Sequence, residues 1–64
     1  MPLIQVTLVQ GRTPEQLRAL ISSLTAAVVD SIVAPKEAIR VVLNEVPDTH
    51  WAAGDVTIAE RNQK

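Results

Sequence analysis

The 64-residue sequence has no cysteine, no phenylalanine and no tyrosine, and only one histidine and one tryptophan. Without cysteine, neither a disulfide framework nor a thiolate metal site can supplement the core of so short a chain. Charge of one sign is also lacking: six basic side chains stand against seven acidic ones, for a net charge of -1. The lysines and arginines are scattered, and with no aromatic platform for base stacking this argues against a nucleic-acid partner. No apolar run approaches the roughly 20 residues of a membrane span, and the N-terminus lacks the basic and apolar regions of a signal peptide. The expectation is a cytoplasmic protein with no membrane partner.

What is present is a chain that is 47% hydrophobic, read as one domain over residues 1–64. A lone domain near this size buries only about 60% of the surface of its unfolded chain. Subunit contacts are therefore expected to supply part of the core.

From Leu3 to Val9 the chain alternates, with Ile4, Val6 and Leu8 on one face and Leu3, Gln5, Thr7 and Val9 on the other, the pattern of a strand. Thr13-Pro14-Glu15-Gln16 is a capping box with proline at the first helical position, so a helix begins there. Leu17, Leu20, Ile21, Leu24, Ala27, Val28 and Ile32 then recur at spacings of three and four, predicting a helix from about Pro14 to Val33 that Pro35 stops. Ile39 to Val46 is a second strand rich in β-branched residues,. Strand, helix and strand make a β-α-β unit with parallel strands. Beyond it come a Pro47-Asp48 turn, a second turn at Gly54-Asp55, a short strand over Val56 to Ala59, and a polar, loose end from Glu60,. The fold class is α/β (α+β): a single β-α-β unit with a short C-terminal hairpin. Its bare sheet face and open strand edges have to be closed by other subunits.

No Ser-His-Asp set, metal-ligand spacing, glycine-rich phosphate loop or close carboxylate pair is present, and neither cofactor nor metal is expected. Pro2 stands directly after Met1. If Met1 is removed, Pro2 becomes a free secondary amine that can act as a base; otherwise it simply starts an edge strand. Arg12 lies where strand meets helix, at the positive end of the helix dipole. Arg40 lies at the start of the second strand, which parallel pairing brings beside Pro2. Each guanidinium can take a carboxylate bidentately or hold a developing enolate oxygen, or can be a solvated surface group. Pro2 and Arg12 are on the order of 25 to 30 Å apart along one extended chain. They can share a site only if a second subunit pairs its strand antiparallel to the first. Trp51 is either a plug in a subunit interface or the apolar wall of a pocket. His50 reads as a turn residue with no catalytic partner.

Together, Pro2 after Met1, the segment Gln10-Gly11-Arg12-Thr13-Pro14-Glu15-Gln16, Arg40-Val41-Val42 leading to Asn44-Glu45, and His50-Trp51 followed by Gly54 resemble the 4-oxalocrotonate tautomerase (2-hydroxymuconate tautomerase) family. The resemblance covers nearly the whole chain. It implies a homo-oligomer, commonly a hexamer built as three dimers, with sites shared between subunits. It also implies a cofactor-independent keto-enol tautomerase acting on a small-molecule enol acid such as 2-hydroxymuconate, in the breakdown of aromatic hydrocarbons. By resemblance Pro2 is the general base, Arg12 binds the far carboxylate and draws electrons toward it, and Arg40 binds near the 2-hydroxyl and its carboxylate, both arginines being supplied by neighbouring subunits. Trp51 lines the pocket.

Guanidinium groups and an apolar wall would both disfavour a protonated amine, which favours a basic proline near neutral pH. This sequence departs from the family pattern at Trp51, where phenylalanine is common, at Ala38, where a small hydroxyl residue often precedes the second arginine, and at Asp55 after Gly54. Two other readings keep the fold. One is hydration, dehalogenation or decarboxylation of small unsaturated acids by the same proline; the other is a non-catalytic subunit of a mixed oligomer.

Overall fold

The structure is a computed structural model that describes residues 2–63. Its first strand, β1 (Leu3–Val9), leads into helix α1 (Pro14–Ile32), and the chain returns through a 3-10 turn at Lys36–Ala38 to β2 (Arg40–Val46). A second 3-10 turn (Asp48–His50) precedes β3 (Ala52–Ala53), β4 (Val56–Thr57) and a final helical turn, α2 (Ile58–Arg61). The fold is α+β: a β-α-β unit with parallel β1 and β2, and a short antiparallel hairpin.

Helix α1 starts where its capping box requires. The Gln16 N–H donates to Thr13 Oγ1 at 3.2 Å, and the Thr13 N–H donates to Gln16 Oε1 at 2.9 Å. The helix ends at Ile32, three residues before Pro35, because Val33 turns into the left-handed region at φ 54° and its N–H closes on the Val29 carbonyl. Pro35 opens the following 3-10 turn and does not itself end the helix. Leu17, Leu20, Ile21, Leu24 and Val28 are half-buried as the periodicity predicts, but Ala27 and Ile32 are exposed.

The strands pair from Leu3 opposite Arg40 to Val9 opposite Val46. Ile4, Val6, Leu8, Val41 and Leu43 are half-buried on one face, while Leu3, Gln5, Thr7, Arg40, Val42 and Asn44 are exposed on the other. Leu3 keeps 58% of its surface and Val42 47%, and Ile39 is the one buried hydrophobic residue among those described. The radius of gyration is 15.0 Å, whereas a compact chain of this length has about 11 Å. The accessible surface is 4908 Å², against about 4000 Å² for a compact monomer of this mass. A single subunit is a thin plate with too little interior to hold a core.

The hairpin turns at Gly54 and Asp55, with φ of 59° and 68°. Positive φ at both central residues is what a two-residue type I′ turn demands. The strand expected over Val56 to Ala59 is shorter than the sequence implied. Thr57 ends it by capping α2, accepting from the Glu60 N–H at 3.1 Å, while Glu60 Oε1 accepts from the Thr57 N–H at 2.9 Å. Glu60 and Arg61 are therefore helical and not part of a loose end. The Thr57 N–H, helped by the Thr57 hydroxyl, holds the Glu60 carboxyl below its ordinary value of 4.5.

Candidate active site

Parallel pairing sets Pro2 and Arg40 side by side. Pro2 is half-buried at the entry to β1, and its carbonyl accepts from the Arg40 N–H at 3.0 Å. The Arg40 side chain is exposed, with Nη1 donating to the Glu37 carbonyl at 2.7 Å and to the Ile39 carbonyl at 3.4 Å. Both acceptors are neutral, so the guanidinium charge is oriented without being cancelled. Met1, on whose removal a free Pro2 nitrogen depends, lies outside the described residues.

Arg12 is at the other end of the sheet. Gly11, at φ 135°, turns the chain out of β1, and Arg12 Nη1 donates back to the Val9 carbonyl at 2.8 Å. The Gln10 N–H donates to the Val46 carbonyl at 2.8 Å and ties this end of β1 to the end of β2. The six steps from Leu3 to Val9 span about 20 Å. The backbones of Pro2 and Arg40 thus adjoin within one subunit, whereas the resemblance implies an Arg40 from a neighbouring one, and Arg12 does not join them.

The helix N-terminus beside Arg12 is less open to an anion than its position suggests. Pro14 has no N–H, and those of Thr13, Gln16 and Leu17 are all bonded within the first turn, leaving Glu15 alone. The cation at this end is the arginine.

Trp51 follows the Val46 end of β2, just after the Asp48–His50 turn, and is 39% exposed. Its carbonyl accepts from the Ile58 N–H at 2.9 Å, which fixes the indole-bearing residue at the base of the hairpin. His50 is exposed and its N–H closes the 3-10 turn on the Pro47 carbonyl at 2.9 Å. Ala38 is half-buried within the turn before Arg40. A groove of about 360 Å³ runs along α1 between Arg18, Thr25, Val29 and Lys36, and it includes none of Pro2, Arg12, Arg40 or Trp51.

Two contributors escaped the reading from sequence. The Glu37 carbonyl that seats Arg40 depends on a three-residue 3-10 turn, for which Pro35 is the only local signal. The Thr57-to-Glu60 capping box was visible as a Thr-x-x-Glu pattern, but with no apolar run behind it.

The family model described as "Tautomerase enzyme" matches residues 2–61. The chain belongs to the tautomerase family. It is 55% identical over 56 residues to a probable tautomerase of Ralstonia nicotianae, an alignment covering 88% of this chain and 80% of that protein. It is 39% identical over 54 residues to the 2-hydroxymuconate tautomerase of Pseudomonas sp. strain CF600, covering 84% and 86%. Among solved structures, TomN, a 4-oxalocrotonate tautomerase homologue in the tomaymycin biosynthetic pathway, superposes with a TM-score of 0.92 at 45% identity, covering 94% of this chain and 92% of its own. A heterohexamer 4-oxalocrotonate tautomerase from Chloroflexus aurantiacus gives 0.90 at 37% identity, covering 94% and 97%. As a tautomerase, this protein is an isomerase. No helix among the described residues is long and apolar enough to cross a membrane.

Proposed function

We propose that the protein is a keto-enol tautomerase of 2-hydroxydienoate or other enol carboxylates, of which 2-hydroxymuconate is the reference substrate, with Pro2 as general base. The observation that carries this reading is the juxtaposition of Pro2 and Arg40, joined through the Pro2 carbonyl at 3.0 Å. Loss of Met1 exposes a secondary amine at that point. The amine takes the proton of the 2-hydroxyl and returns it to a distant carbon, so the double bond moves and the conjugated ketone forms. Arg40 stabilises the dienolate oxygen and the adjacent carboxylate. Nearby guanidinium charge disfavours the protonated amine and keeps the base available.

Arg12 binds the far carboxylate, and it comes from a second subunit. With β1 strands paired antiparallel, the Arg12 end of one strand lies beside the Pro2 end of the other. The exposed apolar residues of the open sheet face support assembly, and a relative described as a heterohexamer supports six subunits. Here we assign a homohexamer in the cytoplasm, with Trp51 as the apolar wall of each site. Aromatic breakdown is the assigned setting, supported by the 2-hydroxymuconate tautomerase relatives.

The test is ketonisation of 2-hydroxymuconate, followed by ultraviolet absorbance, with protein whose intact mass establishes loss of Met1. Pro2→Ala is run in parallel. Fast ketonisation that Pro2→Ala abolishes is expected. Equal rates for both proteins would overturn the assignment of the base.

A further inference from the structure

The return from α1 to β2 is built as a rigid seat for one side chain. Pro35, at φ -60°, opens the 3-10 turn, and its carbonyl accepts from the Ala38 N–H at 3.0 Å. The Ile39 N–H then closes on the Lys36 carbonyl at 3.2 Å, and Ile39 is buried. These bonds leave the Glu37 carbonyl free of the turn, and it accepts from Arg40 Nη1 at 2.7 Å. The second Nη1 contact, at 3.4 Å to the Ile39 carbonyl, is long and weak,. Both protons of Nη1 are thereby directed at the protein's own backbone.

A guanidinium carries five N–H donors in a fixed fork. With Nη1 occupied, the donors left are Nε and Nη2, which together form a parallel pair matched to the two oxygens of a carboxylate. A proline fixes its own φ, and the two hydrogen bonds of the turn hold the Glu37 carbonyl in place, so the orientation of this fork is set before any ligand arrives,.

We propose that Pro35 is a positioning residue for Arg40, acting through the Glu37 carbonyl, and that the Nε–Nη2 edge of Arg40 is the edge that receives the substrate carboxylate. This rests on the assignment of Arg40 to the substrate site. Pro35→Gly loosens the turn without touching the arginine. It lowers kcat/KM on 2-hydroxymuconate about threefold to tenfold, the range set by one lost hydrogen bond.

The decisive comparison is a double-mutant cycle. In an Arg40→Ala background, Pro35→Gly causes no further loss, because the group it positions is gone. Equal losses in both backgrounds would overturn the proposal, as would no loss in the otherwise unaltered protein. Pro35→Ala, which keeps more of the turn's rigidity, gives an intermediate effect and guards against a glycine variant that fails to fold.

A second readout is independent of catalysis. In ¹⁵N NMR, rotation of the Arg40 guanidinium is slow in the parent protein and at least several-fold faster in Pro35→Gly, while that of Arg12 is unchanged. Unaltered Arg40 rotation would overturn the proposal even if activity fell. Should Pro2→Ala retain activity, the base assignment fails, and the NMR comparison still decides whether Pro35 seats Arg40.

Discussion

The Arg40 N–H donates to the Pro2 carbonyl at 3.0 Å, so the amino end of β1 and the first residue of β2 share one end of the sheet. Arg12, hydrogen-bonded to the Val9 carbonyl at 2.8 Å, marks the opposite end. The proposed chemistry needs all three residues at one substrate, which a single subunit with this arrangement does not supply.

Arg12 is assigned to the carboxylate far from the reacting hydroxyl. Arg12→Ala should therefore lower kcat/KM for a dicarboxylate by about tenfold to a hundredfold, the worth of a charge-assisted hydrogen-bonded pair. A monocarboxylate lacking the far group should lose much less. Steady-state kinetics on a matched pair of substrates checks this, and equal losses for both would contradict the assigned role.

Val33 holds a left-handed conformation at φ 54° with 86% of its surface exposed. A β-branched residue is strained there, whereas glycine adopts the conformation freely. Val33→Gly should stabilise the protein by about 0.5 to 1 kcal/mol per subunit, after glycine's greater unfolded-state entropy is set against the relieved strain. Denaturant unfolding at fixed protein concentration measures it. A lower stability would show that the exposed valine makes contacts in the assembly that outweigh its strain.

Acid should weaken the cap of α2. The Glu60 carboxyl is held below 4.5 by the Thr57 N–H, so its folded-state pKa is depressed relative to the unfolded chain. Its contribution is present in full above that ordinary value and is lost as pH falls through the lower folded-state value. Amide exchange at Asn62, whose N–H bonds the Ile58 carbonyl at 3.0 Å, should accelerate in that acid range. Glu60→Gln keeps an acceptor at the same place without a titrating group and should flatten this dependence. An unchanged acid response in Glu60→Gln would place its origin elsewhere.

Much of this architecture can be read from the chain because its signals are local and redundant. Thr13, Pro14 and Gln16 each favour the same helix start, and Gly54-Asp55 supplies both residues of a tight hairpin. The separation of Pro2 from Arg12 also follows from sequence, since seven strand residues have a fixed length,. Elements of three or four residues are too short for any periodicity, so the Lys36–Ala38 turn and α2 were not legible. The end of α1 falls within one residue of the expected place, but Val33 and not Pro35 ends it, by taking a backbone conformation that its side chain disfavours. The hold on Arg40 depends on a carbonyl direction that only the folded turn defines.

A Pro2 base completed by the arginine of another subunit is open to a direct test, the mixing of two impaired variants. Pro2→Ala and Arg12→Ala proteins are combined in equal amounts, dissociated, reassembled and assayed on 2-hydroxymuconate. Random pairing places an intact Pro2 opposite an intact Arg12 in about a quarter of the sites. Recovery of roughly that fraction of the parent activity is the predicted result. A reassembled mixture no more active than the mean of its two components would contradict the shared site.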